Sequence, residues 1–223
     1  MGENSMNELR KRVRSNVPAA VLTLLGIIQA LALEQLWTYV LITDVLYTLT
    51  WQTFTTWTQI VTTLIAIILV WLVYAVNVTR FLWLPSVYEF ILPFWVGFVQ
   101  VLVIQVLTPT DIGFWFILMG GLFGTMIWIA QSTLRKARLD GSNESFFATI
   151  SAATWSDFLP AIAVIGLILT FGLYAANFKT GHLVNLSMLL ILLSFAYIQF
   201  RALTMGWQRS MSPDDNSSPP LGP

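Results

Sequence analysis

TQIVTTLIAIILVWLVYAVNV, residues Thr58–Val78, carries no charged side chain over a length that decides the fold. At 1.5 Å per residue it reaches about 31 Å, matching a bilayer hydrocarbon core of roughly 30 Å. It is apolar all round rather than along one stripe, as a helix surrounded by lipid should be. Five further stretches read the same way: Val17–Ile42, Phe90–Leu107, Ile112–Gln131, Phe158–Asn177 and Leu183–Leu203. None alternates with period two, so a membrane β-barrel does not fit.

Composition agrees. Of 223 residues, 57% are hydrophobic and only 10% are charged, against about a quarter in an ordinary soluble domain. The reading is an all-α, polytopic membrane helix bundle of six transmembrane helices over residues 17–204. A basic segment (1–16) precedes it and a disordered tail (205–223) follows. From Ser212 to Pro223 that tail holds four prolines and two aspartates, a composition that cannot build a core. Ala30-Leu31-Ala32 after a basic start resembles a leader cleavage site, but the apolar run continues to Ile42 and argues for a retained span.

Charge sets the expected orientation. With six spans, Arg10, Lys11, Arg12, Arg14, Arg80, Arg135, Lys136, Arg138, Arg201 and Arg209 share one side, leaving only Lys179 on the other. The positive-inside rule then predicts an integral protein of the plasma (inner) membrane with both termini in the cytoplasm. Tryptophans form a belt at each boundary: Trp37, Trp51, Trp57 and Trp115 outside, and Trp83, Trp95, Trp128, Trp155 and Trp207 inside.

The connections Thr108–Asp111 and Phe178–His182 are short, predicting two tight antiparallel hairpins. Their starts, Glu89-Phe90-Ile91-Leu92-Pro93 and Asp157-Phe158-Leu159-Pro160, look alike, and a glutamine (Gln131, Gln199) follows each about 38 residues on. This fits either a duplicated hairpin or two generic helix starts. Asn16 ahead of Pro18, and Asp157 ahead of Pro160, are expected helix caps. Asp44–Trp57 either extends the second span or lies flat at the interface. Ser142–Trp155 is expected to lie on the surface with Phe146, Phe147 and Ile150 on one side.

Within lipid, small and hydrogen-bonding residues mark the protein-facing side of a helix. That rule picks Thr23, Gly26, Ala30, Glu34 and Thr38 on span one, and Gly97, Gln100 and Thr108 on span three. On span four it picks Gly113, Gly120, Gly124 and Gln131. On span five it picks Gly166, Thr170 and Asn177, and on span six Asn185, Ala196 and Gln199. Gly120 and Gly124 form a GxxxG spacing, which serves either packing within the bundle or an oligomer interface.

Glu34 is the acidic residue set well inside a span, roughly 12 Å from the outer end of its helix. An intramembrane charge costs at least about 2.5 kcal/mol on insertion scales and is a functional hypothesis by default. Gln100 and Thr170 are expected at similar depth, with Gln105 shallower and Thr38 one turn from Glu34. Together they predict an outward-facing polar vestibule binding a proton, small cation or small polar solute. Glu34 can equally act as interhelical glue or snorkel to the interface.

Cysteine is absent, and His182 is the lone histidine. Disulfides, thiolate metal sites, thiol catalysis and His-clustered metals are therefore excluded within one chain. HExxH, GxSxG and P-loop patterns are missing too, so no cofactor, metal or enzymatic activity is expected. The net charge is zero, which points away from nucleic acid. Basic clusters Arg10–Arg14 and Arg135–Arg138 would attract anionic lipid headgroups, although topology alone also accounts for them. Two functions follow: a channel or transporter built on Glu34, or a non-catalytic subunit or assembly factor. The expected partners are the lipid bilayer, a second copy, or other membrane proteins.

Overall fold

The computed structural model describes residues 2–83, 86, 88–108, 111–149 and 154–211. Seven α-helices account for nearly all of them: α1 (Gly2–Ile42), α2 (Trp51–Arg80), α3 (Tyr88–Gln105), α4 (Ile112–Leu139), the short α5 (Glu144–Thr149), α6 (Trp155–Asn177) and α7 (His182–Met211). No strand occurs among the described residues. All but α5 are long and apolar enough to cross a membrane. The protein is thus a multi-pass, all-helical bundle. Of the predicted tail, residues 205–211 form the last turns of α7 rather than a disordered end, and residues 212–223 lie outside the described residues, as does Ile150.

Helices α2 and α4 form the centre. On one flank lie α1 and α3, packed on each other; on the other, α6 packs on α4 and α7 on α2. The hairpin α6–α7 is not the tight pair expected, because its helices touch each other only lightly. Glycines decide this, letting α6 close on α4 instead. A Cβ on Gly113 would sit 2.3 Å from the Ala176 nitrogen, and one on Gly172 would sit 2.9 Å from the Ile117 nitrogen.

Local chemistry explains the boundaries. α2 starts about two turns before Thr58 because threonines knit the connection ahead of it. Thr53 N–H donates to Thr50 Oγ1 and Thr50 N–H to Thr53 Oγ1, a reciprocal cap. Thr53 Oγ1 also donates to the Val45 or Thr48 carbonyl, and Trp57 Nε1 reaches Leu46 O. Trp51–Trp57 therefore extends the second helix, while Asp44–Tyr47 ahead of it forms one 3-10 turn. α4 and α7 overrun their expected ends because a formed helix propagates cheaply through residues such as Lys and Arg.

Two expected caps are corrected. Asn16 and Pro18 lie inside an unbroken α1. Asp157 is the third residue of α6, where its carboxylate accepts from Thr154 N–H at 2.6 Å and makes Thr154 the cap residue.

Both ends of the bundle are tied. At the end holding the start of α1 and the end of α7, Arg14 pairs with Asp140 at 2.8 Å and Lys136 with Glu89 at 2.5 Å. Asn143 donates to Ala137 O and Leu82 O and accepts from Leu82 N–H. Phe81 stacks on Phe147 and meets Phe146 edge-on, with Arg80 over the Phe81 and Phe146 rings. The surface helix α5 is thus docked on protein through the same two phenylalanines that the sequence set on one side. At the opposite end, Tyr39 Oη donates to Leu107 O, joining α1 to α3.

Candidate functional site

Burial separates the helices whose small and polar stripes face inward from those whose stripes face out. On α3, Gly97 and Gln100 are buried; on α4, Gly113, Gly120 and Gln131; on α7, Asn185 and Ala196. On α1 the expectation is corrected. Its buried line is Val21, Leu25, Gln29, Ala32 and Leu36, whereas Thr23, Ala30, Glu34 and Thr38 are exposed and Gly26 is half-buried beside Trp71 of α2. α6 behaves alike: Gly166, Thr170 and Asn177 are exposed, and Ala161, Ile165, Ile168 and Gly172 are buried. The stripe rule assumes that a helix presents its small side to its own bundle; α1 packs on α2 and α3, and α6 on α4, through their aliphatic lines instead.

Glu34 accordingly stands on the open side of α1, eight residues before Ile42 and about 12 Å along the axis from that end. With Leu31, Gln35, Thr38, Tyr39 and Ile42 it walls a cleft of about 420 Å³, whose other wall is Ile104 and Gln105 of α3. The Tyr39–Leu107 hydrogen bond pins the two walls together near the cleft mouth. Among the described residues Glu34 makes no ion pair. Chemically, the cleft offers one carboxylate, two side-chain amides and a threonine hydroxyl, enough to hold a cation or a hydrogen-bond donor.

Three of the expected ligands therefore converge (Glu34, Thr38 and Gln105), joined by Gln35 and Tyr39, which sequence reasoning passed over. Their four-residue separation, one helical turn, was the available signal. Gln100 does not join them: it is fully buried, and its amide nitrogen and oxygen lack hydrogen-bond partners. Thr170 is further away still, exposed on α6 with its hydroxyl donating to Gly166 O at 2.8 Å.

The central interior is polar in its own right. Gln59 on α2 is as buried as Gln100 and equally lacks partners for both amide atoms. Other buried polar groups tie helices together. Gln29 Nε2 donates to Ile67 O at 3.0 Å, and Trp115 Nε1 to Thr63 Oγ1 at 3.2 Å. Unpartnered buried polar groups cost about 1–3 kcal/mol each, which makes Gln59 and Gln100 the least satisfied positions of the core.

Of the glycines, Gly113 and Gly120 face α6, with the Leu169 side chain 2.7 Å from where a Gly120 Cβ would stand. Gly124 has open space at that position. The close-packing pattern of α4 is therefore Gly113 against Gly172 and Ala176 of α6, with Gly120 against Leu169, and the second residue of the GxxxG spacing takes no part in it.

No protein-family model matches this chain, and no match is found among curated proteins or solved structures.

Proposed function

We propose that the protein is a non-catalytic, multi-pass membrane subunit that binds another membrane protein, or a second copy of itself, through the open face of α1. One observation carries this reading. The stripe Thr23–Ala30–Glu34–Thr38, small and polar in the manner of helix–helix interfaces, faces away from the chain's own bundle. Left against lipid, a carboxylate at this depth costs at least about 2.5 kcal/mol, and a partner helix bringing a donor or cation to Glu34 removes that cost.

Because the native chain has no cysteine, single-cysteine crosslinking tests the proposal cleanly. Ala30→Cys and Thr38→Cys in native membranes should give a discrete crosslinked species, and Leu167→Cys on the exposed side of α6 should not. Crosslinking that is equal at all three sites, or absent at α1, would defeat the proposal.

A second reading is favoured by the convergence of Glu34, Thr38 and Gln105 from two helices on one cleft. In this reading the cleft binds a proton, a small cation or a small polar solute for transport. Glu34→Gln separates the two. Lost or pH-insensitive uptake in proteoliposomes, with partner capture unchanged, supports transport; lost capture without any uptake phenotype supports the subunit.

For orientation, we propose both termini in the cytoplasm of a plasma (inner) membrane. Support comes from the charge partition: Arg12, Arg14, Arg80, Arg135, Lys136, Arg138, Arg201 and Arg209 lie toward one end of the helices and Lys179 lies at the other.

A further inference from the structure

The last turns of α4 and the first turn of α6 enclose a pocket of about 460 Å³ lined by Trp128, Gln131, Ser132, Arg135, Arg138 and Thr154, with Trp155 at its side. We propose that this pocket binds the phosphate of an anionic membrane phospholipid. Three features point there independently of the Glu34 cleft.

The first is an orphan donor. Gln131 is 8% exposed, and its Nε2 has no hydrogen-bond partner. A buried N–H donor lining a pocket between two arginines matches a phosphate oxygen, which accepts from amides and guanidinium forks alike. The second is charge. Arg135 and Arg138 enter from α4, and the 23-residue α6 begins at the pocket with the positive end of its dipole. The one carboxylate in that first turn, Asp157, accepts from Thr154 N–H and Oγ1 and offsets part of that positive end, so the positive balance at the pocket comes from the two arginines.

The third feature is placement, which selects a lipid over a soluble phosphate. Trp128 and Trp155 are 55% and 60% exposed at the pocket rim, at the level where apolar helix gives way to the basic end. Indoles prefer that interfacial zone, and acyl chains leaving the pocket would run along the exposed apolar side of α6 at Leu159 and Ile162. Guanidinium groups beside a lipid surface attract anionic headgroups generally. The amide of Gln131 adds a fixed donor that a diffuse basic patch lacks.

The test is native mass spectrometry of the full-length protein in detergent, titrated with phosphatidylglycerol or with phosphatidylcholine of the same chains. Phosphatidylglycerol should bind in a discrete one-lipid step and phosphatidylcholine should bind more weakly. Gln131→Leu should weaken phosphatidylglycerol binding about tenfold, the effect of one hydrogen bond to a charged group. Arg135→Gln should weaken it by at least as much. Should Gln131→Leu fail to fold, Gln131→Glu, near-isosteric and repelling phosphate, carries the same expectation. Unchanged binding in the Gln131 variants would reduce the site to a general basic patch, and equal binding of the two lipids would remove the anionic preference. Displacement of phosphatidylglycerol by millimolar inorganic phosphate would make it a soluble-anion site. Any of these overturns the proposal.

Discussion

Gly113→Ala is the sharpest perturbation of the bundle. The new methyl would lie 2.3 Å from the Ala176 nitrogen, 2.6 Å from its Cα and 2.7 Å from the Ala175 carbonyl carbon. All three are backbone atoms of α6, so no side-chain rotation relieves the clash. Restoring contact near 3.5 Å requires the helices to part by about 1 Å, and a gap of that size forfeits a quarter to a half of each dispersion contact along the seam. Overpacking of this kind costs about 1–3 kcal/mol, partly offset by the helix-propensity gain of roughly 1 kcal/mol for replacing glycine by alanine. Gly124→Ala receives that gain with no clash, since nothing lies within 4 Å of its Cβ position. Gly120→Ala falls between them, because the atom it meets is the flexible end of Leu169. Unfolding in mixed micelles, followed by circular dichroism against detergent composition, should rank the variants with Gly113→Ala least stable, then Gly120→Ala, and Gly124→Ala at or above wild type. Equal losses at Gly113 and Gly124 would refute the packing argument. They would point instead to an interface with another chain along the GxxxG spacing.

Gln100→Leu should stabilise the isolated protein by about 1 kcal/mol in the same assay, because it removes a buried amide without partners; a loss would mean that this amide is satisfied in the working state. Trp115→Phe should cost about 1 kcal/mol for the lost Thr63 hydrogen bond, and Thr63→Val should cost nothing further when added to it. Asn143→Leu strips the clamp between Leu82 and Ala137 and should make the connection around α5 sensitive to limited protease under conditions where wild type resists. An impermeant thiol reagent applied to intact cells should label Thr180→Cys and spare Ser142→Cys; the reverse pattern would invert the proposed orientation.

The sequence by itself determined that six long apolar helices are present, because span length and unbroken apolarity follow directly from the thickness of the hydrocarbon core. It also separated Lys179 from the other basic residues and identified Gly113, Gly120 and Gln131 as inward on α4. Tertiary structure alone decided which helices are central and which are peripheral. Helix pairing depends on how closely backbones approach, and that is set by contacts such as Gly113 on Ala176 between residues far apart in the chain. The same polar stripe therefore points inward on α3 and outward on α1. Glu34 shares a cleft with Gln105 and not with Gln100, although both glutamines belong to the same helix.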